Sequence, residues 1–197
     1  MKSATLTACA LLVSAGLLGA CAPAGTERPG TPAAEATAQP SKAATLDSAV
    51  DTALLDLYRA APGAEALVNN AKGVLVFPSI TKAGFIAGAE FGEGALRVNK
   101  ETVGYYQLAA GSFGLTAGVQ NASQVILFNT DEALESFRNS SGWTAGADAS
   151  VALLQIGAGG TIDTRTANSP VQAIVYNTSG LMADASIQGQ KITKFEP

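Results

Sequence analysis

Ser79-Ile-Thr-Lys82 is the stretch of this 197-residue chain whose spacing most resembles a catalytic motif. A serine followed three residues later by a lysine can form an acyl enzyme. The serine must then open a helix, so that the lysine returns one turn on to take its proton. Here Pro78 ends an apolar run just before the serine, and Gly84 follows the lysine closely. The segment therefore predicts strand, and the accompanying Ser-x-Asn and Lys-Thr-Gly motifs are missing. Glu90 and Glu93 have opposite strand parity and should face apart rather than share a proton. Asp148 and Ser150 share a face without a base or third group, which predicts a buried hydrogen bond. Asp131 and Glu132 sit where a helix should start and suit the positive end of its dipole. The chain has no histidine, which removes the commonest general base and metal ligand together. Its two cysteines, Cys9 and Cys21, precede the expected folded region. The expectation is a non-enzyme with no cofactor and no metal.

Cations offer a different chemistry. Lys72, Lys82, Arg97 and Lys100 fall at the ends of the early strands, where they could meet a phosphate headgroup. A net charge of −4 argues against nucleic acid as the partner.

The elements that must position these residues follow from periodicity. Leu46, Val50, Ala53, Leu54 and Leu57 recur at helical spacing, with Thr45 or Asp47 as the start signal and Pro62-Gly63 as the break. A short helix over 64–70 should follow. The polar face of the first helix carries Asp47, Asp51 and Asp56 against Arg59 alone, which suits packing on a sheet better than anionic lipid. Residues 73–77 predict a short strand ended by Pro78. Residues 83–96 alternate, with Gly84, Gly88, Gly92 and Gly94 on one face and Phe85, Ala87, Ala89 and Phe91 on the other. Glycines lining a strand face mark bulges or close backbone approach. No Gly-x-Gly-x-x-Gly or Gly-Lys-Ser/Thr supports a phosphate loop.

Residues 104–129 look central. Ala109, Gly111, Phe113, Leu115, Ala117 and Val119 read as the apolar face of one long half-buried strand, and 125–128 as a strand covered on both sides. A helix over 129–138 follows, capped by Asn129 with Glu132 as reciprocal partner and Leu134 and Phe137 buried. Residues 144–154 alternate as a strand, 157–160 permit a turn, 171–176 form a strand, 177–180 a hairpin turn, and 181–188 a last strand. The expected class is α+β: a strongly curved or barrel-like, mainly antiparallel sheet with N-terminal helices and one inserted helix. A transmembrane barrel is excluded by alanine-rich apolar faces with one Trp and four Tyr in the whole chain.

Residues 1–20 read as a signal peptide: Lys2, a short apolar core from Leu6 to Leu18, then small residues. Leu18-Gly-Ala-Cys21 resembles the bacterial lipobox. That resemblance implies acylation of Cys21 and, with Ala22 next, an outer-membrane lipoprotein facing the periplasm. One acyl chain holds a protein marginally and two or more hold it firmly, so membrane residence asks nothing of the domain surface. Residues 21–44, with four prolines and no periodicity, read as a lipidated flexible tether. Its reach is about 25 Å. Residues 45–197 form the domain.

Residues 71–85, 110–115, 125–128, 148–152 and 180–183 together resemble the SYLF domain family, in its bacterial lipoprotein branch. The similarity runs from about Leu46 to Lys194. Eukaryotic SYLF proteins bind phosphoinositides and regulate actin. A periplasm has no actin, so the resemblance implies a non-catalytic domain binding phospholipid or another amphiphile. The alternatives are a scaffold recruiting an unknown protein partner through a sheet edge and, more remotely, a Ser-Lys hydrolase at Ser79 and Lys82.

Overall fold

A computed structural model describes residues 40–84, 87–113, 118–154, 156, 160–162, 169–180, 187 and 189–197. The segments expected to be signal peptide and tether lie outside the described residues up to residue 39, Cys21 included, as does most of the strand expected over 181–188.

The first helix, α1 (Lys42–Ala60), begins earlier than its apolar periodicity predicted, because Ser41 caps it and accepts from Ala44 N at 3.2 Å. Neither Thr45 nor Asp47 is the start. Ala61 ends α1, and α2 (Gly63–Asn70) follows Pro62. Strand β1 (Gly73–Gly84) does not stop at Pro78. The register slips by one residue there against both neighbours, so the proline occupies a bulge in which no ladder N–H is needed. Ser123 Oγ donates to Pro78 O at 2.8 Å. Strand β2 (Ala87–Val98) runs back antiparallel, so residues 83–96 are two strands rather than one.

The central stretch also divides, into β3 (Glu101–Phe113) and β4 (Gly118–Phe128). These are not neighbours: β3 pairs with β2, and β4 pairs with β1. The expected apolar face inverts as well. Tyr106 and Leu108 are buried, whereas Ala109, Gly111 and Val119 are exposed.

The inserted helix α3 (Asp131–Asn139) buries Leu134 and Phe137, as the sequence indicates. Its cap is Thr130, which accepts from Ala133 N at 3.2 Å, while Asn129 Nδ2 donates to Ser169 O at 2.8 Å. Glu132 therefore has no capping-box role. The strand expected over 144–154 breaks into β5 (Trp143–Thr144), a turn and β6 (Val151–Leu154). Asp148 lies exposed in that turn and accepts from Thr144 N at 2.6 Å, so the hydrogen bond exists but is not buried. Strand β7 (Val171–Gly180) continues through the expected hairpin at 177–180. Asn177 takes φ 52°, and the register against β4 slips by one residue there: a bulge, not a turn. Strand β8 (Lys191–Phe195), which periodicity did not single out, pairs with β3 and β5.

The eight strands form one sheet in the order β5-β8-β3-β2-β1-β4-β7-β6, antiparallel except for β6 beside β7. The sheet curls into a half-barrel, confirming α+β with a strongly curved sheet. Bulges at Pro78, Val103 and Asn177 supply much of the physical cause, since each adds local twist and bend. Glycines supply the rest. A Cβ at Gly94 would strike Val76 O and come within 2.7 Å of a Phe77 ring carbon, so the bulged β1 can fold over β2 only where β2 has no side chain.

Two apolar layers sandwich this sheet. On the outer face Val50, Ala53 and Leu57 of α1 pack on Val74, Val76, Ala95, Val125 and Leu127. On the inner face Leu75, Phe77, Leu96, Leu108 and Phe128 meet Phe137 and Trp143, whose rings stand 5.6 Å apart edge to face. Fully burying each such side chain contributes ~1.5–3 kcal/mol.

Candidate functional site

The four cations named from sequence do not form one site. Lys72 is exposed and pairs with Asp131 at the start of α3, Nζ to Oδ2 3.2 Å. Lys82 is turned to the inner face, where its ammonium meets Glu90 at 3.0 Å with both side chains 9% exposed. Gln190 Nε2 donates to the other Glu90 oxygen at 3.2 Å, and Gln124 Nε2 donates to Gln190 Oε1 at 2.9 Å. This closed polar network withdraws Lys82 from the surface. Ile80 and Lys82 share the inner face, which places Ser79 on the other. Ser79 and Lys82 therefore point apart. Glu90 and Glu93 are separated in the same way, Glu93 meeting Lys42 on the outer face at 2.9 Å.

Arg97 and Lys100 are brought together. Both line a groove of about 670 Å³ bounded by α1, α2, the start of β1 and the β2–β3 turn. Leu54, Leu55, Tyr58, Val68 and Val74 form apolar walls; Asp51, Glu65, Asn69 and Asn99 add polar groups. That volume is ordinary for a small-ligand cleft. The groove runs along one side of α1, between that helix, α2 and the β2–β3 turn. Val50 and Leu57 reach the sheet, whereas Leu55, on the other side of the helix, is 53% exposed.

Arg97 is held from three sides. Its guanidinium donates to Asp51 Oδ1 at 2.8 Å, to Asp47 O at 3.3 Å and to Lys100 O at 3.4 Å. Asp47 also accepts from Thr102 Oγ1 at 2.7 Å and Tyr105 Oη at 3.0 Å. Asp47 and Asp51, on the polar face of the helix, thus pin α1 to β2 and β3. Nothing in sequence spacing signals this contact, since Asp47 and Arg97 lie 50 residues apart. Arg97 Nε is buried without a partner. Lys100 is exposed and makes no ion pair among the described residues. It stands on a two-residue turn with Asn99, both at positive φ (52° and 69°). That geometry matches the twist of a hairpin but strains a lysine. Burial, and then the nearby Glu65 carboxylate, raises the Tyr58 phenol above its ordinary value, so it stays a neutral donor beside the groove.

Among the described residues no group of three or more carboxylates or thiols stands close enough to hold a metal ion. No curated protein matches the chain. Residues 109–196 match the family model described as Ysc84, Las17-binding protein actin regulator. The matched segment supplies β4 to β8 and the end of β3, while β1 lies between β2 and β4. It is therefore part of a larger sheet that β1, β2 and the rest of β3 complete. That segment, rather less than half of the chain, is thus similar to the family, consistent with the SYLF resemblance of its residues.

Proposed function

We propose that the chain is a membrane-anchored envelope lipoprotein, acylated at Cys21, whose SYLF domain binds a phospholipid or similar amphiphile without catalysing a reaction. The observation that carries this reading is the groove: aliphatic walls with Arg97 and Lys100 at one rim. An acyl chain suits Leu54, Leu55 and Val68. Lys100, free of any described ion pair, is the cation available to a headgroup phosphate, and Arg97 Nε is a buried donor that a phosphate oxygen would satisfy. Glu65, also among the lining residues, gives the groove both signs of charge, which suits a zwitterionic headgroup. A non-catalytic role is supported by Ser79 and Lys82 facing apart and by the closed pairing of Lys82 with Glu90. The actin partner in the family description is not carried over, since an envelope location offers none.

The test is lipid uptake by the Cys21→Ser full chain, read by mass spectrometry after detergent-free exchange with fatty acid, phosphatidylethanolamine and phosphatidylglycerol. Uptake of one of these is expected, weakened about tenfold by Lys100→Glu through loss of a charge-assisted contact. A chain that takes up none of the three refutes the reading.

A further inference from the structure

The outer face of the sheet is open at its far end. Register aligns Val119, Ala83 and Ala89 across β4, β1 and β2 in one row, and Asn121, Thr81, Phe91 and Ala109 across β4, β1, β2 and β3 in the next, where Thr81 donates to Asn121 and Phe91 and Ala109 carry the apolar surface. Phe91 is 51% exposed and Val119 58%, and the three alanines are exposed too. With strands ~4.8 Å apart, the strip spans about 14 Å over four strands. Single exposed apolar residues are ordinary, but a contiguous patch on a strand face asks for a partner.

The chain's own route points to that partner. One row nearer the helices on the same face, Glu93 holds Lys42, the first residue of α1, whose ammonium also stands 4.9 Å from the Phe195 ring centre. The chain running back to Cys21 therefore leaves the domain beside this open strip. Between Cys21 and Gln39 there is no Val, Leu, Ile, Met or aromatic residue that could cover Phe91. The charges nearby fit as well: Lys191, exposed and paired in register with Ala109, flanks the strip, and Glu93 is already neutralised by Lys42.

We propose that this far end of the outer face seats on the phospholipid bilayer that holds the anchor. Phe91 and Val119 enter the headgroup–acyl boundary, and Lys191 meets lipid phosphate. The inference rests on the reading of Cys21 as acylated, but not on the groove.

The test uses the acylated full chain in vesicles of phosphatidylethanolamine and phosphatidylglycerol, with and without brominated acyl chains. Trp143, 1% exposed within the core, supplies the reference emission of the unsubstituted chain. In Phe91→Trp the introduced indole should lose about half its emission in brominated vesicles, as an aromatic ring at the interface would. Val119→Trp should respond alike, and Val119→Asp should reduce the quenching of Phe91→Trp. Quenching no greater than that of Trp143 overturns the proposal. So does an indole already shielded before vesicles are added and unquenched in them, which would assign the face to the tether or to a second copy. A chain that floats with vesicles but shows no quenching leaves the anchor reading standing. One that does not float removes both.

Discussion

The two ends of the curled sheet share the same strands but are held together by opposite means. Near the helices, oil lies on both faces: Leu57 and Val50 outside, Phe77, Phe128 and Trp143 inside. At the far end the inner face holds a buried Lys82–Glu90–Gln190–Gln124 network, and the outer face, around Phe91 and Val119, is bare. The normal order of a strand, polar out and apolar in, is reversed there. The comparison teaches that alternation alone does not say which face is core; the answer depends on what covers each face. A network that is fully paired can be buried, whereas one missing a member is costly.

The comparison can be broken in several places. Lys82→Ala should have the largest effect, about 3–5 kcal/mol by urea unfolding, because it strands the Glu90 carboxylate in the interior. The double substitution Lys82→Met with Glu90→Leu should recover most of that loss, and failure to do so would mean the pair has a role beyond mutual neutralisation. At the helix-covered end, Leu57→Ala should cost about 2–5 kcal/mol from the cavity it leaves. Tyr176→Phe is milder. Burial pushes this phenol up to about 12, and it donates to Ala53 O at 2.6 Å, tying β7 to α1. A phenol with a raised value favours the neutral form in the fold. Its contribution is complete below about pH 10, the usual phenol range, and is lost as pH rises through 12. Tyr176→Phe should therefore cost about 1 kcal/mol near neutrality and flatten the alkaline limb of the stability profile. The smallest effect belongs to the bare end: Val119→Ser should shift stability by less than about 0.5 kcal/mol. A large loss there would mean the strip is covered in the protein alone.

What the sequence revealed was local. The spacing of Val50, Ala53 and Leu57 placed α1, Leu134 and Phe137 placed α3, and the glycines at 84–94 correctly signalled close backbone approach. The errors came where a breaker residue serves as a bulge. Pro78 and Asn177 both read as ends of strands, yet each lies within one, since a single extra residue relieves the strain without ending the pairing. Strand parity failed over 109–119 because alanine and glycine fit either face. Of the candidate site, the residue types were legible and their meeting was not. Arg97 and Lys100 adjoin through a turn, but the Leu54–Tyr58–Val68 wall comes from α2 and from α1, which Asp47 ties to β3 over a separation no spacing signals.

The pairing of β8 with β3 has a consequence for how the chain reaches its final shape. Tyr105 must wait for Phe195 before that edge of β3 is closed. Such distant pairing makes folding slow, with an unprotected strand edge available to other chains in the interval. In a protein synthesised from its N-terminus that edge of β3 therefore stays open until Lys191–Phe195 arrive, the last strand to be made.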